Sequence, residues 1–188
     1  MFNFKSILDS HTQAATSLLN HENNILEVCD LIARRLSSGS KLLLFGNGGS
    51  AADCQHIAAE IVGRFKYERI GYPAIALTTD TSILTSISND YDFSTIFSRQ
   101  VSSLAASGDV VIALSTSGNS QNVFNGLIAA NKIGCHTIAL TGADGGRVAE
   151  ISNFLLPVNS LDTARIQEIH ILIGHIICDY FDSFLSGE

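Results

Sequence analysis

The sequence predicts an α/β fold: a parallel sheet of five strands flanked by helices, with helices ahead of the sheet and one long helix after it. Three observations carry this. Five short runs, Leu42–Phe45, Ala74–Leu77, Val110–Leu114, Thr137–Leu140 and Phe154–Val158, lack polar alternation, as strands buried on both faces do. Helical stretches, 51–64, 82–106 and 120–132, lie between most of them, and strand alternating with helix implies parallel strands joined by right-handed crossovers. The composition supplies a core: 188 residues, 46% hydrophobic and only 15% charged. Soluble domains usually carry about 25% charge, so further apolar surface is expected to be buried between subunits.

Residues 3–38 read as two helices. In the second, Ile25, Val28, Cys29, Ile32 and Leu36 recur on one helical face, and Ser37-Ser38-Gly39-Ser40 stops it. The first strand run follows, with a Gly-rich turn behind it, and the other runs and helices alternate to the end of the sheet. The last segment, 163–185, is a long helix with almost no polar face, and such a helix is buried. At the end of a small domain it is expected to be covered by another copy of the chain. The whole chain, 1–188, reads as one domain, with 39–188 as the α/β core and the 1–38 helices packing in an oligomer.

The net charge of −7 argues against a nucleic-acid or anionic-membrane surface. The four cysteines form no C-x-x-C pair, which disfavours a zinc knuckle or a redox motif and fits reduced thiols in a cytoplasmic protein. The first eight residues lack the apolar core of a signal peptide, and the most apolar stretch, 169–177, is far too short to span a bilayer.

In parallel sheets ligands sit beyond the carboxyl ends of the strands. Three of those ends run into glycine and hydroxyl residues: Gly46-Asn47-Gly48-Gly49-Ser50-Ala51, Ser115-Thr116-Ser117-Gly118-Asn119-Ser120 and Thr141-Gly142-Ala143-Asp144-Gly145-Gly146. Free amides and hydroxyls before a helix suit a phosphate or a polyhydroxylated ligand. Tight turns and helix caps would use the same residues, although six in a row between Ser115 and Ser120 exceed what one cap needs. The first loop also fits G-x-G-x-x-A, but a dinucleotide site needs an acid about 20 positions on at the end of the second strand, and the candidate at that strand end, Asp80, comes more than 30 after Gly48. No Walker lysine follows either loop. No nucleotide cofactor is expected.

His56 and Glu60, four apart, share a helix face. Gln167 and His175 lie eight apart on the terminal helix, about 12 Å along its axis, and converge on one ligand only if that helix crosses the site obliquely. A lone buried histidine is more often a hydrogen-bonded core residue, and His11, His21, His136 and His170 are read that way. Spacing alone does not bring His56, Glu60, Gln167 and His175 together.

Taken in order, Gly46-Asn47-Gly48-Gly49-Ser50, His56-x-x-x-Glu60, Tyr72–Leu77, Ser88-Asn89-Asp90, Ser115–Ser120, Leu140–Gly146, Arg165-Ile166-Gln167-Glu168-x-His170 and His175 resemble the phosphoheptose isomerases of the sugar isomerase (SIS) domain family, over nearly the whole chain. The resemblance implies a Rossmann-like three-layer sandwich assembled as a homotetramer, with active sites at subunit interfaces. It implies interconversion of sedoheptulose 7-phosphate and D-glycero-D-manno-heptose 7-phosphate, the first step toward the nucleotide-activated heptose of lipopolysaccharide or another surface polysaccharide. Carried over by position, Ser115, Thr116, Ser117 and Ser120 would hold the phosphate, and Asn47, Gly48, Gly49, Ser50, Asn89, Asp90 and Gln167 would contact the substrate. Glu60 and His175 would be the acid–base pair, and Glu60 would also touch the sugar. Some members bind zinc through positions matching His56, Glu60, Gln167 and His175, so one zinc per subunit is implied. A carboxylate that ligates zinc is a weaker base, so either Glu60 keeps one oxygen free or its two roles alternate. Ala164 departs from the pattern, since some isomerases carry an acid there. The alternative is a non-catalytic binding protein of the replication-initiator-associating type, which resembles a member lacking that Glu and the late His; this chain has both.

Overall fold

The computed structural model describes residues 2–187; Met1 and Glu188, the ends of the expected domain, lie outside them. Helix α1 (Phe4–Ser17) and helix α2 (Glu22–Ser37) precede β1 (Leu42–Gly46) and α3 (Gly49–Val62). Then come β2 (Ala74–Ala76), α4 (Thr81–Asp90), α5 (Ile96–Leu104), β3 (Val110–Ser115), α6 (Gln121–Ile133), β4 (His136–Thr141), β5 (Phe154–Pro157) and α7 (Thr163–Ser186). All strand pairs are parallel, in the order β2-β1-β3-β4-β5. The five expected strands are therefore the five observed ones. β1, β3 and the apolar part of β4 are buried on both faces, which is why their runs show no alternation. Pro157 sits on an edge strand, where its missing N–H costs no ladder bond.

The expected helix 82–106 is two helices. Tyr91 leaves the helical region at φ −128°, ψ −93°, and the Asp92 carboxylate accepts the Ser94 N–H at 2.7 Å, which starts a new turn leading into α5. The cap wins because a short acidic side chain satisfies a helix-start amide that continuation would have tied into a longer helix.

The sheet has a separate core on each face. On one, Ile25, Val28, Ile32 and Leu36 of α2 meet Ile57 and Ile61 of α3 and Ile169, Ile173 and Ile177 of α7. On the other, Phe97 and Val101 of α5 meet Val123 and Leu127 of α6. The long α7 is thus covered largely by helices of its own chain rather than waiting wholly for a second copy, and α2 belongs to the same core. The apolar residues of α1 behave differently: Phe4 is 64% exposed and Leu8 49%. Among the described residues no helix is long and apolar enough to cross a membrane.

In this strand order the chain winds outward in both directions from between β1 and β3, and the carboxyl ends there form the crevice where such sheets take ligands. The two loops singled out by sequence leave the sheet at that place.

Candidate active site

The loop after β1 is held close to β3. A Cβ on Gly46 would meet the Leu114 carbonyl oxygen at 2.8 Å, so only glycine allows this approach. Gly48, at φ 58°, then turns the chain into α3. The Asn47 side chain exchanges two amide bonds with Asn122 near the start of α6, at 2.9 and 2.8 Å. Asn122 is buried and also accepts the Val123 N–H at 2.9 Å. A cleft of about 520 Å³ opens here, lined among others by Asn47, Gly48, Thr78, Ser88, Asn89 and Phe97. Asn89 donates to Asp90 Oδ1 at 2.9 Å; Asp90 itself is exposed at the end of α4 and does not line this cleft. Ser50 is buried in the first turn of α3.

The Ser/Thr loop sits next to it, after β3. Ser115 Oγ donates to Ser120 Oγ at 3.2 Å, and Ser117 Oγ accepts the Asn119 N–H at 3.2 Å. Thr116 and Ser117 face a second, more polar cleft of about 270 Å³, shared with Gly142 and Asp144 of the third loop and Thr163 of α7. The two loops meet backbone to backbone: a Cβ on Gly118, at φ 65°, would lie 2.0 Å from the Gly145 carbonyl oxygen.

Helices α3 and α7 run side by side. Near their starts the Gln167 amide lies where a Cβ on Gly49 would meet it at 2.7 Å; further along, Ile57 packs onto Gly174, where a Cβ would meet Ile57 Cδ1 at 2.7 Å. This packing brings His175 to His56 and Glu60. His56 Nε2 is 2.9 Å from Glu60 Oε1, His175 Nε2 is 3.2 Å from His56 Nε2, and His175 Nε2 is 3.7 Å from Glu60 Oε1. Of the four residues weighed together by sequence, three converge. Gln167 faces α3 from the Gly49 end, about two turns earlier on α7. Among the described residues no N–H or O–H group reaches the buried Glu60 Oε2. The Cys178 thiol lies beside that carboxylate and bonds it weakly, its pKa raised first by burial and then by the Glu60 charge and that hydrogen bond. Phe65 stacks on His175, ring centroids 5.7 Å apart at 17°.

The donor set fits a metal ion. Two imidazole nitrogens and a carboxylate oxygen converge within 4.8 Å of one another. Zinc bonds of about 2.0–2.1 Å put neighbouring donors of a tetrahedron roughly 3.3 Å apart, which is the scale of the three distances here. A buried carboxylate oxygen faced by no donor stronger than a thiol leaves negative charge that a cation would satisfy.

Ala164 is exposed near the start of α7, where its N–H bonds the Asp162 carboxylate at 2.9 Å; Asp162 caps this helix from two residues before. Asn122 and Phe65 were not among the residues singled out by sequence. An asparagine two places after Ser120 reads as part of a helix start, and an aromatic in the Gly63–Gly71 stretch reads as loop packing.

A doubly wound sheet with hydroxyl- and glycine-rich loops at its switch point, above a His/Glu cluster, defines a domain that handles a small phosphorylated or polyhydroxylated molecule. The family model described as "SIS domain" matches residues 8–142. A phosphoheptose isomerase of Geotalea daltonii is 54% identical over 185 residues, 98% of this chain and 96% of that protein. Solved phosphoheptose isomerases from Francisella tularensis (TM-score 0.92, 36% identity, 95% of this chain and 96% of that one) and Neisseria gonorrhoeae (TM-score 0.87, 44% identity, 96% and 95%) superpose along the chain. The chain belongs to the SIS domain family and, within it, to the phosphoheptose isomerases.

Proposed function

We propose that this enzyme interconverts sedoheptulose 7-phosphate and D-glycero-D-manno-heptose 7-phosphate, in the cytoplasm, as the first step toward a nucleotide-activated heptose for surface polysaccharide. The observation that carries the reading is the convergence of His56, Glu60 and His175, with one buried glutamate oxygen that no N–H or O–H group of the described residues reaches. An aldose–ketose isomerisation takes a proton from the carbon beside the carbonyl. The electron pair of that C–H bond becomes the C=C of an enediol as the carbonyl oxygen gains a proton; the hydroxyl on the first carbon then gives up its proton to become the new carbonyl, and a proton is delivered to the neighbouring carbon. Glu60 is the base on carbon, and His175 moves the proton at oxygen. With nothing stronger than a thiol beside it, Oε2 favours the arrangement in which Glu60 keeps one oxygen free for the proton.

Ser115, Thr116, Ser117 and Ser120 bind the phosphate through hydroxyls and loop amides, while Asn47, Gly48, Gly49, Ser50, Asn89 and Gln167 orient the sugar and Asp90, outside the cleft, holds the Asn89 amide. The cluster starts two turns along α3 from the Gly loop, about 10 Å, which suits a sugar long enough to reach from that loop to the acid–base pair. Zinc, one per subunit, would be held by His56, Glu60 and His175, while Gln167, about two turns earlier on α7 against Gly49, is left to the sugar. Bound there, it supplies Lewis-acid polarisation of the carbonyl oxygen. The exposed Phe4 and Leu8 of α1 support a homotetramer in which the 1–38 helices pack and neighbouring subunits complete the sites.

The test is Glu60→Gln and His175→Ala assayed with sedoheptulose 7-phosphate, alongside zinc content before and after chelation and sedimentation velocity on the same preparations. Each variant is expected to lose 10²–10⁴-fold in turnover. Folded variants that keep near-parental turnover would refute the assignment. A zinc-free parent with full activity would remove the metal, and a monomeric active parent would remove the assembly.

A further inference from the structure

The cluster rides on two helices, and one buried side chain ties those helices together at its level. Arg69, in the loop after α3, pairs with Asp182 of α7, Nε to Oδ1 at 2.7 Å, with side chains 8% and 0% exposed. The other nitrogens of the guanidinium reach back to α3. Nη2 donates to the carbonyl of Glu60 at 2.8 Å, and Nη1 to that of Ile61 at 2.9 Å. Glu60 is itself the carboxylate of the cluster. The rings of Phe181 and Tyr72 lie 5.2 and 5.9 Å from the guanidinium carbon. Asp182 Oδ2 accepts the N–H groups of Lys66 and Tyr67 at 2.8 and 3.1 Å, which fixes to α7 the segment whose Phe65 stacks on His175.

A buried ion pair repays its desolvation only when its hydrogen bonds are made. Here they are spent on carbonyls at the end of one helix and a carboxylate on the other. Of the side chains, only a guanidinium presents a rigid planar fork that can serve a carboxylate and two carbonyls at once. We propose that the Arg69–Asp182 clasp positions the reaction machinery, setting the spacing between Glu60 on α3 and His175 on α7. Arg69 is a positioning residue, bonded to the Glu60 backbone and to no atom of the His56–Glu60–His175 donor set. The inference rests on reading that cluster as the acid–base and metal-holding group.

Arg69→Lys keeps a charge opposite Asp182 but gives up the fork. Arg35→Lys is the control for a general loss of stability, since Arg35 bonds the Gly108 carbonyl at 2.7 Å at the opposite, amino edge of the sheet. The measurements are kcat and KM with sedoheptulose 7-phosphate, and zinc affinity by competition with a chelating dye. Removing an outer-shell partner typically costs 10–100-fold in activity or metal affinity. Arg69→Lys is expected to lose that much in kcat and in zinc affinity with KM nearly unchanged, while Arg35→Lys changes none of the three. Parental kcat and zinc affinity in folded Arg69→Lys, or the same losses in Arg35→Lys, would overturn the proposal. If Arg69→Lys does not fold, the near-isosteric Asp182→Asn carries the same expectation and the same refuting result. A parent that neither turns over the sugar phosphate nor binds zinc overturns the functional reading instead, and is recognised without any variant.

Discussion

Asn122 shows how much of a site can rest on a residue that bears no charge. Its amide and that of Asn47 satisfy each other across the crevice, so the orientation of Asn47 over the cleft is set from α6. Asn122→Ala leaves a half-buried amide without its partner, at a cost of about 1–2 kcal/mol. On the proposed role of Asn47 at the sugar, kcat/KM is expected to fall roughly 5- to 30-fold with the fold intact; unchanged kinetics in Asn122→Ala would show that Asn47 needs no anchor. Asn47 was legible in the sequence because it stands inside a glycine loop at a strand end. Asn122 was not, because its partner is 75 residues away and the contact exists only once β1 and β3 are neighbours. His56 and Glu60 were legible as a helical pair four apart. That His175 joins them depends on how two helices pack, which no spacing within one helix records.

At the scale of elements, that packing depends on an absent side chain. Gly174 lets α7 lie against Ile57 of α3, and a Cβ there would press on Ile57 Cδ1 at 2.7 Å. Gly174→Val overpacks this contact, at a cost of about 1–3 kcal/mol. It also moves His175, the next residue, relative to His56 and Glu60. Thermal unfolding and turnover together check this: both midpoint and kcat are expected to drop, and a destabilised protein with parental kcat would show that helix spacing does not govern the site. The apolar runs made all five strands legible: β1, β3 and most of β4 are buried on both faces and have no polar side, and the edge strands β2 and β5, though partly exposed, are apolar too. The break between α4 and α5 was not legible, because Asp92 looks like any surface acid until its carboxylate is seen capping Ser94. The cover over α7 was misjudged for a related reason. Apolarity all round a helix says that it is buried, not by which chain, and here α1, α2 and α3 take much of that surface.

For the whole molecule, buried titratable groups set the dependence of stability on acid. His170 is fully buried on α7, with Nε2 3.2 Å from the Thr141 carbonyl oxygen at the end of β4. Burial pushes its pKa down to about 4 from 6.5, outweighing the Thr141 bond that raises it. The unfolded chain therefore binds a proton between pH 6.5 and 4 that the folded chain refuses, and stability falls as pH falls through that window. A shift of this size corresponds to a loss on the order of 3 kcal/mol by pH 4. The buried carboxylates act lower. Burial works to raise Asp182 and Asp109, but Arg69 with two backbone N–H groups, and Lys41 with two more, hold both below the usual 3.8. Their contribution is present above that value and is lost only as pH falls further. Urea unfolding across pH 7 to 3 is thus expected to show two stages, the first of which flattens in His170→Gln, whose amide can still donate to Thr141. A parental curve that is level from pH 7 to 4.5, or a first stage that survives in His170→Gln, would mean that the histidine buried between α7 and the sheet takes up its proton in the folded state at an ordinary cost.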